Sequence, residues 1–199
     1  MRKSFGMRSL YIVSSLIVLL ALVLAGCAPS GPTFHSVDIT GADYGKNFAL
    51  TDHHGTLRTL ADFKGKVVTI FFGYTQCPDV CPTALSGMSA VMEELGPEGD
   101  RVQVIFVTVD PERDTAALLK PYLASFDPTF IGLRGSEEQT KAAAKEFKVF
   151  YQKVPTDNGN YTIDHTAGAF VFDPSGKVRL FVRYGMPVED LLADIRQLL

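Results

Sequence analysis

Two cysteines, Cys77 and Cys81, stand four residues apart in the segment Tyr74-Thr75-Gln76-Cys77-Pro78-Asp79-Val80-Cys81-Pro82. If that segment coils as a helical turn, residues i and i+4 share a face, with Cβ atoms about 6 Å apart. Two thiolates at that separation converge on one metal ion, and a modest backbone shift brings them to the ~3.8 Å of a Cys77–Cys81 disulfide. The spacing therefore allows a reduced, metal-binding form and an oxidised form. Two thiolates alone suit soft Cu(I), whereas zinc demands more ligands. His165, in Asp164-His165-Thr166-Ala167-Gly168, is the candidate third ligand. An imidazole added to two thiolates makes a three-coordinate set suited to copper in both oxidation states. Asp164 or Asp110 is then the candidate for orienting the ring. On residue type alone, a histidine capping the neighbouring hairpin remains an open alternative. His53 and His54 read as polar turn residues beside Gly55.

The chain's first residues bear on how many thiols remain for chemistry. Arg2, Lys3 and Arg8 precede an apolar run over residues 10–24, broken only by Ser14 and Ser15. That run is as long as a signal-peptide core and short of the ~20 residues of a spanning helix. It ends in Leu24-Ala25-Gly26-Cys27, which resembles a bacterial lipobox, where the Cys27 thiol carries the lipid. The expected organisation is a signal peptide over residues 1–26, a lipidated N-terminus and flexible tether over 27–43, and one domain over 44–199. Pro29, Gly31, Pro32 and Gly41 suit a tether, and His35 within it reads as solvated. The expected location is extracytoplasmic, with membrane contact through the lipid on Cys27. Residues 27–199 keep 16 of the 19 basic residues and all 22 acidic ones, a formal net charge of −6. That charge lacks the basic footprint of a nucleic-acid binder. With Cys27 lipidated, Cys77 and Cys81 are the remaining thiols. A disulfide between them closes too small a loop to staple a fold, so their role is chemical.

The elements that must position these groups follow from hydrophobic periodicity. Residues 66–73 (KVVTIFFG) and 102–109 (VQVIFVTV) read as strands buried on both faces. The cysteine segment lies between the first of these and a helix expected over 84–95. That is the carboxyl end of a central strand, where open sheets bind ligands, and the helix N-terminus is expected to lower the cysteine pKa values. Residues 48–50 and 56–58 suggest a hairpin, and 61–65 a helical turn stopped by Gly65. Further helices are expected over 115–126, with Leu118, Leu119, Tyr122 and Leu123 inward, over 136–147 with Ser136 as N-cap, and over 187–199. A short strand is expected over 130–133. Residues 149–153 and 160–163 flank a polar loop, and 169–173 and 177–184 form a hairpin through Pro174-Ser175-Gly176. The sum is an α/β domain with a central mixed sheet flanked by helices.

FFGYTQCPDVCPTAL, VTVDPERDT and YTIDHTAGAFVFDPSGKV, in that order, resemble the three signature blocks of the Sco/SenC family, and the likeness covers most of residues 38–199. It implies a thioredoxin-like fold and one copper ion, Cu(I) or Cu(II), on Cys77, Cys81 and His165. The implied partner is subunit II of cytochrome c oxidase, whose CuA centre receives the copper, or another cuproprotein. Asp79 and Asp110 match acidic positions of the family pattern and are read as supporting residues. Gln76 departs from the histidine that many members carry there. The leading reading is a metallochaperone without enzymatic turnover. Its rival is a thiol-disulfide oxidoreductase acting on a cuproprotein's cysteines; that role does not need His165, and the thioredoxin-type motif has one residue fewer between its cysteines. A peroxidase is disfavoured because no Arg or Lys stands between Gly73 and Pro82.

Overall fold

The apolar run after Lys66 forms a strand, Val67–Gly73, in which every residue is buried, as is every residue of its parallel neighbour, Val102–Thr108. Strands covered on both faces have no solvent side to mark with polar residues, so they read as unbroken apolar stretches. In the computed structural model, which describes residues 31–157 and 159–199, residues 34–199 form one unit around this pair. The strands are β1 (Val37–Asp38), β2 (Leu50–Asp52), β3 (Leu57–Arg58), β4 (Val67–Gly73), β5 (Val102–Thr108), β6 (Ile131–Arg134), β7 (Tyr151–Pro155), β8 (Tyr161–His165), β9 (Gly168–Phe172) and β10 (Val178–Arg183). The helices are α1 (Val80–Leu95), α2 (Ala116–Ala124), α3 (Glu137–Glu146) and α4 (Val188–Leu198). The signal segment and Cys27 lie outside the described residues.

The main sheet runs β1-β10-β9-β4-β5-β6-β2-β3, with β4, β5 and β6 parallel and the remaining pairs antiparallel. Helices cover both faces, as expected for the α/β class. On one face Phe71 and Phe106 meet Tyr122 of α2, while α1 packs on α4. On the other, Phe72, Phe170 and Phe172 surround Phe147, the residue that ends α3. The strands β7 and β8 pair only with each other, in register from Tyr151↔His165 to Pro155↔Tyr161. The sequence marked these segments only as the flanks of a polar loop, not as paired strands.

Three local expectations change. Helix α1 begins four residues earlier than residue 84, because Pro82 falls in its first turn, where a backbone N–H has no intrahelical partner to lose. In α2, Leu119 and Leu123 are fully buried but Leu118 is 49% exposed, so the apolar stripe is narrower than four residues. Residues 34–43, read as tether, belong to the packed unit. Val37–Asp38 pairs with β10, and the fully buried Asp194 of α4 accepts hydrogen bonds from the backbone N–H groups of His35 (2.8 Å) and Ser36 (2.7 Å). The expected capping of α3 is present: Ser136 Oγ accepts from Gln139 N, and the Gln139 side chain accepts from Ser136 N.

The β2–β3 hairpin turns on a buried carboxylate. Asp52 accepts from the backbone N–H groups of His54 and Thr56 (both 2.9 Å) and from Arg58 Nε (2.8 Å). Burial opposes its ionisation, but the Arg58 guanidinium and the two amides outweigh it and hold Asp52 below the usual carboxylate range. A carboxyl whose folded pKa lies below its unfolded value contributes stability above about pH 3.9, and that contribution fades as pH falls through the folded value. Asp52→Asn is therefore expected to cost about 1–3 kcal/mol at pH 7. Denaturant unfolding across pH should show the gap to wild type narrowing as pH falls below about 4.

Candidate metal centre

The main chain leaves β4 at Gly73 and turns at once, with Cys77 N–H donating to the Tyr74 carbonyl (3.2 Å). The turn is fastened from below by Asp114, fully buried, whose carboxylate accepts from Thr75 N (3.0 Å), Thr75 Oγ1 (2.6 Å) and Thr108 Oγ1 (2.6 Å). Helix α1 then starts, so Cys81 is its second residue and Cys77 lies just ahead of it. The backbone N–H of Cys81 points at Cys77 Sγ (3.4 Å), the use of a helix N-terminus that the sequence suggested. Cys81 is fully buried and Cys77 half-buried, both as free thiols. The Cys81 sulfur fits there because residue 73 is glycine: a Cβ at that position would lie 2.7 Å from Sγ and 2.9 Å from the rings of Phe71 and Phe106.

His165 comes to the same place from the other side. It is the last residue of β8 and not a loop residue as expected. Its Nε2 lies 3.5 Å from Cys81 Sγ, and Nδ1 lies 3.1 Å from the Thr166 carbonyl. A carbonyl only accepts, so Nδ1 carries the hydrogen and the bare Nε2 lone pair faces the thiols. The ring stands edge-on to Phe71 and Tyr74, with centroids 6.0 and 5.9 Å away. Among the described residues, Cys77, Cys81 and His165 are the group whose ligand atoms lie close enough to hold a metal, all within 4.8 Å of one another.

Burial sets the protonation of Cys81 and His165. It pushes the Cys81 thiol up, and the neighbouring Cys77 sulfur adds to the effect. The lowering expected from the helix terminus is overridden at Cys81, because removal from water costs a thiolate more than one helix end returns. Burial also lowers His165, keeping the imidazole neutral as a ligand must be.

The acidic candidates do not orient the ring. Asp79 and Asp164 are exposed on the rim of an open cavity of about 410 Å³ that is also lined by Cys77, Pro78 and His165. Asp79 occupies the N-cap position of α1 without capping it. Asp110 is buried but engages Arg113 and the Tyr161 hydroxyl (2.9 Å). The Thr166 carbonyl takes the orienting role. His53 and His54 stack on each other in the β2–β3 turn, and His53 Nδ1 accepts from Gly132 N–H (2.9 Å), a structural bond. Sequence reasoning also gave no role at this site to Gly73, Asp114 or Arg113. The last two stood in the VTVDPERDT block, but only the fold shows what they touch.

A profile of the SCO1/SenC family matches residues 37–199. The SCO2-like protein of Rickettsia felis is 37% identical over 184 residues, covering 89% of this chain and 90% of its own. Among solved structures, the copper-bound ScoI of Bradyrhizobium japonicum is 43% identical, with a TM-score of 0.73, covering 79% of this chain and all of its own. The apo Sco1 of Thermus thermophilus is 40% identical, with a TM-score of 0.76, covering 85% of this chain and 99% of its own.

The close approach at Gly73 gives a direct test. Gly73→Ala is expected to destabilise the domain by about 1–3 kcal/mol through overpacking. Part of that loss should return in the Cys81→Ala background, where the sulfur is gone. Chemical denaturation of the four-member cycle reads the coupling.

Proposed function

Since the chain belongs to the SCO1/SenC family, we propose that it is a copper metallochaperone, taking one ion on Cys77 Sγ, Cys81 Sγ and His165 Nε2 and passing it to the CuA centre of cytochrome c oxidase subunit II or to another cuproprotein. The observation that carries this reading is the donor set itself: two sulfurs and an imidazole with its Nε2 lone pair turned toward them, within 4.8 Å of one another. Two thiolates suit soft Cu(I), and the imidazole extends the set to Cu(II). The copper-bound relative at 43% identity supports the same choice of metal. The neutral buried thiol means that loading displaces protons, so affinity rises with pH. The half-buried Cys77, facing the open cavity, is the ligand a partner's thiol can reach first.

The reading places the domain outside the cytoplasm, on a bacterial membrane, through a lipid on Cys27. Its support is the charge, apolar run and lipobox order of residues 1–27. Among the described residues no helix is long and apolar enough to cross a membrane.

Reduced protein titrated anaerobically with Cu(I), and aerobically with Cu(II), is expected to bind one copper per chain. The Cu(II) form should show a sulfur-to-copper charge-transfer band that disappears in Cys77→Ser. His165→Ala should keep Cu(I) and lose most Cu(II) affinity, by about 10-fold or more. Failure to bind either ion, with disulfide reductase activity retained, would shift the assignment to a thiol-disulfide oxidoreductase. Separately, the protein expressed in a bacterium is expected to partition with membranes and to incorporate labelled fatty acid. Cys27→Ser should abolish the label, and a label retained in that variant rejects the anchor.

A further inference from the structure

We propose that Arg113 is a positioning residue, which holds the His165 imidazole against the thiol pair and thereby sets the preference between Cu(II) and Cu(I). This rests on the copper reading above. The need for such a residue follows from the topology. His165 rides on β7–β8, which shares no backbone ladder with the main sheet that carries the cysteine turn. Side chains must therefore fix one segment against the other. One link is neutral: the Ile163 N–H donates to the Tyr74 hydroxyl (3.2 Å).

A second link is Arg113, next to the exposed Lys153–Glu112 ion pair. Its Nη1 donates to Gln76 Oε1 (3.1 Å), beside Cys77, and to Asn160 Oδ1 (3.0 Å) and the Tyr161 carbonyl (2.9 Å), at the start of β8. The guanidinium also lies 3.6 Å over the Tyr161 ring. Nε pairs with the buried Asp110, whose other oxygen accepts from the Tyr161 hydroxyl. One planar cation thus joins the segment bearing the sulfurs to the strand bearing the imidazole. A planar fork with several donors and a stacking face does this, and a lysine cannot. Gln76, the departure from the family pattern, here supplies the acceptor on the cysteine side.

A plain structural role, stiffening the 110–113 turn through the Asp110 pair, would not need the bonds to Gln76 and Asn160. The two readings differ in what the metal feels. Cu(I) is content with two sulfurs, whereas Cu(II) needs the nitrogen. A loosened hairpin therefore penalises one oxidation state selectively.

The experiment compares full-length wild type, Arg113→Met, Arg113→Lys and Gln76→Ala, each with and without His165→Ala. Cu(I) affinity is read by chelator competition, and Cu(II) affinity by titration with the nitrogen hyperfine signal recorded. Arg113→Met is expected to weaken Cu(II) about 10–100-fold, to change Cu(I) by less than about threefold, and to add nothing in the His165→Ala background. Arg113→Lys should resemble Arg113→Met, and the exposed Gln76→Ala should move Cu(II) the same way by less. Equal weakening of both ions, an undiminished effect without His165, or full rescue by lysine overturns the proposal. Should Arg113→Met fail to fold, Gln76→Ala alone decides: a Cu(II)-selective loss supports the role and an unchanged ratio rejects it. Should wild type bind neither ion, the copper reading falls on its own. Amide exchange in metal-free protein then judges Arg113: faster exchange at Ile163 and His165 than in β4 supports it, and unchanged exchange rejects it.

Discussion

The sulfur of Cys81 occupies space that only a residue without a side chain, Gly73, leaves open at the end of the central strand. Much of the site follows from that contact. It fixes the first turn of α1 against β4, so the Cys81 N–H meets the Cys77 sulfur. The Phe71 ring, which borders the same gap, also stands edge-on to His165. Tight packing here converts a chain reversal, which loops usually leave soft, into a fixed ligand position. The Asp114 carboxylate completes the anchorage by taking up both polar groups of Thr75.

Burial that positions Cys81 and His165 also holds both uncharged. A thiol pushed up and an imidazole pushed down coexist without repulsion or unpaired charge in a core rich in phenylalanine. The uncharged groups thus suit a medium where two thiolates would not. A soft cation entering the site brings the charge that makes deprotonation favourable, so metal uptake and proton release are one event. The open cavity beside Cys77 lets those protons reach water.

The parallel centre of the sheet and the helices on its faces were legible because each signal is local. Seven consecutive buried residues in β4 and in β5 have one reading, and the Ser136–Gln139 cap is written within four residues. The cysteine pair was legible for the same reason. His165 was a fair candidate by type, but its partner Thr166, its strand placement and its distance from Cys81 depend on a pairing across a fifteen-residue hairpin that leaves no periodic trace. Arg113 lies 36 residues from Cys77 and 52 from His165 in the sequence. Nothing in its neighbours announces that it reaches both. The edge strand β1 was missed because two residues pairing with β10 look, by composition, like linker.

A hairpin joined to the body by side chains and not by a ladder is expected to open more readily than the sheet it rests on. Local opening of such a segment costs less than global unfolding, and the bonds at Tyr161 and Ile163 and the Lys153–Glu112 ion pair resist it. Two of the three donors belong to the rigid body and the third to the part that can lift. A bound ion would therefore have a route to release that leaves the core intact: the nitrogen departs, the pair of sulfurs keeps hold, and the vacated coordination position faces outward. Residence time would then be governed by the opening of the fifteen residues 151–165 and not by the stability of the whole domain.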